Sequence, residues 1–68
     1  MNIEKFQQYR PLLFSIAYRM LDSVAEVEDV WQDAYLRVQA HATETVEQPK
    51  YYLTTIVTRL CLNQLSAA

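Results

Sequence analysis

Two rows of residues in this 68-residue chain have types and spacings suited to binding chemistry. Asp29, Gln32, Asp33 and Leu36 recur at i, i+3, i+4 and i+7, so on a helix they share one face over about two turns. Two carboxylates and an amide around an apolar anchor fit a basic partner helix. Burial of the leucine would supply affinity, and the charges would set orientation and encounter rate. A solvated acidic face with one exposed leucine has the same pattern, and spacing does not separate the two readings.

The second row is Tyr52, Thr55, Arg59 and Asn63, with Lys50 just before it. A tyrosine ring stacks on an exposed base, arginine meets phosphate or guanine, and asparagine makes a bidentate contact with adenine. The set therefore suits single-stranded or partly opened DNA. The competing reading is an ordinary amphipathic flank, because one arginine in a row carries little electrostatic signal.

The charge distribution agrees with two surfaces of opposite character. Asp22, Glu26, Glu28, Asp29 and Asp33 fall between residues 22 and 33 with no cation, whereas residues 50–68 hold Lys50 and Arg59 with no acid. The formal net charge of −2 argues against a protein that coats nucleic acid through bulk electrostatics.

Enzyme chemistry finds little footing. His41 has no cysteine or serine near it in sequence and no obvious carboxylate partner for a catalytic pair, and Asp29 and Asp33 read as solvated carboxylates rather than a tuned acid and base. The single cysteine, Cys61, makes no internal disulfide, and one cysteine with one histidine supplies no metal-ligand set. The chain has no glycine, hence no glycine-rich phosphate loop. No cofactor is expected. Trp31, Tyr35 and Cys61 read as packing residues.

The elements that must carry these rows are helices. A 51% hydrophobic chain without glycine and with two prolines lacks the punctuation of a sandwich or barrel. Phe6, Tyr9, Leu13, Ile16, Ala17 and Met20 form an apolar stripe over a helix from about Ile3 to Leu21. Pro11 either kinks that helix or ends a short lead-in before a second helix that starts near it. Ser23 with Glu26 three residues later makes a capping box for the next helix, Val24 to about Ala40. Val24, Val27, Val30, Trp31, Ala34, Tyr35 and Val38 fall on its core face. A polar loop from His41 to Gln48 ends at Pro49, a favoured first helical residue. The last helix runs to about Leu65 with Leu53, Ile56, Val57, Leu60 and Cys61 inward.

The fold expected is an all-α bundle of three main helices, four if Pro11 splits the first. One domain over residues 1–68 fits the length. No apolar run approaches the roughly 20 residues of a membrane span, and no signal-peptide order is visible, so a soluble cytoplasmic protein without membrane contact is expected. The abrupt end in Ser66-Ala67-Ala68 reads as a domain cut from a longer chain.

The run YRPLLFSIAYRMLDSVAEVEDVWQDAYLRVQ, a polar loop, then QPKYYLTTIVTRLCLNQL resembles region 2 of the extracytoplasmic-function (ECF) sigma factors of the sigma-70 family. The likeness runs from about Phe6 to Leu65. It implies a small helical bundle that acts in transcription initiation and catalyses nothing. By that resemblance, Asp29, Gln32, Asp33 and Leu36 bind the clamp helices of the largest subunit of core RNA polymerase. The loop from His41 to Gln48, with Lys50, Tyr52, Thr55, Arg59 and Asn63, recognises and melts the minus-ten promoter element as single-stranded DNA. An anti-sigma factor is a further implied partner. Three places depart from the family pattern: Asp22 stands where many relatives have glycine, Asn63 near a common aspartate, and Gln64 and Ser66 near common basic residues. A DNA face this poor in cations predicts weak promoter affinity, or affinity that depends on chain beyond residue 68, including the separate region 4 domain of relatives. The rival reading is a protein-interaction domain that binds no DNA, in which the Leu36 patch takes a partner or a second copy.

Overall fold

The computed structural model describes residues 3–41 and 45–66 as four α-helices: α1 Ile3–Gln8, α2 Arg10–Leu21, α3 Val24–Ala40 and α4 Pro49–Ser66. They pack into a bundle of 34 × 21 × 17 Å, in which α2, α3 and α4 pack against one another and short α1 lies across all three. Among the described residues there is no strand, as an all-α reading requires.

Each break has a local cause. Pro11 splits the first helical stretch rather than kinking it. Tyr9 caps α2 with φ −93° and ψ 3°, its N–H donates to the Phe6 carbonyl at 3.1 Å, and its own carbonyl accepts from Leu13 at 2.9 Å. Pro11 then sits in the first turn of α2, where a missing N–H costs no helical bond. Asp22 ends α2 in the left-handed region (φ 52°, ψ 34°) and donates its N–H to Tyr18 at 2.8 Å, a conformation aspartate tolerates. Ser23 follows as the N-cap of α3, its Oγ accepting from the Glu26 N–H at 3.4 Å. Pro49 opens α4, whose first turn is closed by the Tyr52 N–H donating to Gln48 at 3.0 Å.

The core takes Phe6 from α1, Leu13, Ala17 and Leu21 from α2, Val27, Val30, Ala34 and Val38 from α3, and Leu53, Val57, Leu60 and Cys61 from α4. No polar or charged residue is buried among the described residues. An aromatic cluster fixes α3 from one side. Phe6 stacks on Trp31 with centroids 4.3 Å apart and tilts against Tyr35 at 6.3 Å, while Phe14 meets Trp31 edge-on at 5.1 Å. The Arg10 guanidinium lies over Phe14 at 4.9 Å and near Trp31 at 5.7 Å.

One member of the expected core face is placed differently. Val24 is 59% exposed. On the helical wheel it shares the flank of Trp31, but it lies roughly 10 Å N-terminal to that residue along α3. Phe6 of α1 covers this flank at Trp31 and Tyr35, about two turns or more C-terminal to Val24.

Candidate protein and nucleic-acid interfaces

Because the core stripe of α3 faces α2 and α4, the row a half-turn away must face solvent. Asp29, Gln32, Asp33 and Leu36 are all exposed, Leu36 at 58%. Among the described residues no cation lies within salt-bridge distance of Asp29 or Asp33. The face is thus an apolar anchor with two unneutralised carboxylates and an amide on one side, available as a unit. A face of this chemistry is complementary to a basic surface, on which Leu36 would lose water while the carboxylates gained opposite charges.

The second row divides. Thr55, Arg59 and Asn63 come together in a cleft of about 170 Å³ between α3 and α4, with Ile56 and Leu60 also lining it and Arg37 entering from α3. Arg59 and Asn63 are exposed and Thr55 is half-buried. Arg37 is not part of the row that spacing picks out. At about 100° per residue it sits a quarter-turn from Leu36, on the flank of α3 that faces α4. No spacing rule within a single helix signals that closeness, since Arg37 and Arg59 belong to different helices.

Tyr52 and Lys50 lie outside this cleft. Tyr52 is half-buried, whereas its neighbour Tyr51 is 72% exposed. Tyr51 and Lys50 line a separate cleft of about 440 Å³ together with Tyr9, Gln48, Pro49 and Thr54. Its walls are largely apolar, and Lys50 brings a cation to its edge. An open aromatic hollow beside a lysine suits a planar ring attached to an anion. The Tyr51-Tyr52 pair offers two candidate stacking residues in sequence, and packing against the bundle leaves Tyr51 the more accessible.

Of the loop expected between His41 and Gln48, residues 42–44 lie outside the described residues, and Thr45 to Gln48 lead into α4 without helix. Among the described residues no group of three or more histidine, cysteine, aspartate or glutamate side chains could hold a metal ion. Burial pushes the Cys61 thiol above its ordinary pKa. It belongs to the core rather than to either face. No described helix is long and apolar enough to cross a membrane.

The all-α bundle thus presents two exposed features of opposite character, an acidic, leucine-centred face of α3 and a cationic cleft between α3 and α4. The Sigma-70 region 2 family model matches residues 6–68, so the chain belongs to the sigma-70 region 2 family, in its extracytoplasmic-function group. It is 40% identical over all 68 of its residues to "ECF RNA polymerase sigma factor SigJ" of Mycobacterium tuberculosis (strain ATCC 25618 / H37Rv). It is also 25% identical over 63 residues, 93% of this chain, to "Probable ECF RNA polymerase sigma factor SigI" of Mycobacterium tuberculosis (strain CDC 1551 / Oshkosh). The chain spans 22% of the length of each of these relatives. No solved structure matches it.

Proposed function

We propose that this chain is the module of a transcription initiation factor that docks on core RNA polymerase through α3 and engages the opened minus-ten promoter element through α4 and the loop before it. The observation that supports the reading best is the exposed row Asp29, Gln32, Asp33 and Leu36, set by the core on the outer face of α3 in a chain of this family. The partner that fits the row is a basic helical surface, here the clamp helices of the polymerase largest subunit. On the DNA side, the Arg59 cleft and the Tyr51 hollow offer a cation and a ring within one short stretch of α4. Extruding a base from a duplex costs a few kcal/mol, which stacking and edge contacts of this kind offset. No reaction is part of this reading. An anti-sigma protein covering either face would switch the module off.

The test is a titration of the chain with a clamp-helix fragment of polymerase, native against Leu36→Asp. Native binding that the substitution removes, with unchanged helical circular dichroism, is the expected result. Equal affinity for both would refute docking through α3. Absence of binding by either, with self-association at micromolar concentration, would favour a protein-interaction domain instead.

A further inference from the structure

The cleft between α3 and α4 is lined by two arginines, Arg37 and Arg59, and among the described residues neither guanidinium has a hydrogen bond or an ion pair. Two like charges lining one cleft of about 170 Å³ make it a favourable place for an anion, whose attraction to both offsets their mutual repulsion. The walls are part polar and part apolar: Thr55 and Asn63 bring a hydroxyl and an amide, while Ile56 and Leu60 form the apolar side. A carboxylate-rich peptide would use the cations and leave the apolar side unfilled. A nucleotide unit uses both, with its phosphate on the guanidiniums and amide and its sugar against the isoleucine and leucine.

From this geometry we infer that Arg37 is a nucleic-acid-binding residue, and that the cleft it forms with Thr55, Arg59 and Asn63 grips one backbone phosphodiester of the single strand. The inference rests on the DNA-binding reading above and extends it to α3. One helix then serves both partners, with Leu36 facing polymerase and the adjacent Arg37 facing DNA. The DNA face also gains a cation that a view restricted to α4 leaves out. A phosphodiester contact positions the strand and carries no sequence information, so its effect is uniform across sequences.

The test measures binding of the chain to single-stranded oligonucleotides of two unrelated sequences by fluorescence anisotropy across a salt series, for native, Arg37→Gln and Arg59→Gln. Arg37→Gln is expected to weaken binding about tenfold on both sequences. It should also flatten the plot of log affinity against log salt by roughly 0.7, the share of one phosphate on a single strand. On strands with uncharged methylphosphonate linkages the difference between native and Arg37→Gln should disappear. Native binding with no effect of Arg37→Gln, while Arg59→Gln weakens it, would overturn the cleft and leave the DNA-binding reading standing. Loss confined to one sequence would overturn the phosphodiester assignment in favour of a base contact. Failure of the native chain to bind either strand would overturn the DNA reading and the cleft together. Arg37 is exposed, so the substitution leaves folding intact, and circular dichroism checks this.

Discussion

Phe6 is the residue through which the fold is most open to quantitative attack. It is fully buried, stacked on Trp31 at 4.3 Å and tilted on Tyr35, and it is the only buried residue of the six-residue α1. Truncating a buried phenylalanine to alanine costs about 3–5 kcal/mol, which includes two ring contacts of about 0.5–1.5 kcal/mol each. The short α1 that carries it can shift to fill part of the vacated space, so the low end of that range, about 3 kcal/mol, is expected for Phe6→Ala. A domain of 68 residues at roughly 0.05–0.15 kcal/mol per residue has only about 3–10 kcal/mol in total. The substitution should therefore bring the chain close to half unfolded at 25 °C at the lower end of that range. Urea denaturation measures this, followed by circular dichroism and by the emission of Trp31, the only tryptophan. With a slope of about 1 kcal/mol per molar urea, the midpoint should fall by about 3 M or vanish. Phe6→Leu, which keeps most of the volume, should cost less than about 1.5 kcal/mol. A loss below about 1 kcal/mol for Phe6→Ala would refute the claim that α1 is part of the core and that its ring fixes α3.

Two further outcomes come from local geometry. Ser23→Ala removes the N-cap of α3 and should cost about 0.5–1 kcal/mol in the same denaturation, the low side of the usual range because the bond is 3.4 Å long. Cys61 should react with Ellman's reagent only as fast as the chain unfolds, because the thiol is fully buried. Burial raises its pKa, so the folded state favours the neutral thiol; the stability this contributes is full below the unfolded thiol's pKa and is lost as pH rises through the folded value. A pH series of denaturation midpoints for native and Cys61→Ala should therefore differ in slope only on the alkaline side.

Most of the fold is legible in the sequence because its signals are local. The Ser23 and Glu26 pair and Pro49 mark helix starts through backbone groups one turn away, and both boundaries fall where these residues place them. The split of the first helix is not decidable from sequence, since Pro11 satisfies a kinked helix and a fresh first turn equally well; the turn at Tyr9 selects the second. Val24 misleads because periodicity assigns a face but not how far a neighbouring helix extends along it. The exposed row on α3 is likewise a periodic feature of one helix, and its residues can be named from spacing. The clefts cannot. Arg37 comes to share a cleft with Arg59, and Tyr9 with Tyr51, only after the helices pack, and the choice between Tyr51 and Tyr52 as the open ring depends on the rotation of α4 against the bundle.

In the function proposed above, two faces of one small bundle act separately, one on polymerase and one on DNA. Its most direct test is to titrate native, Leu36→Asp and Arg59→Ala chains each with a labelled clamp-helix fragment and with a labelled minus-ten-like single strand. Opposite losses are expected, with Leu36→Asp failing on the polymerase fragment and keeping the strand, and Arg59→Ala doing the reverse with a salt-dependent deficit. Equal loss of both ligands in either variant, with circular dichroism unchanged, would contradict it.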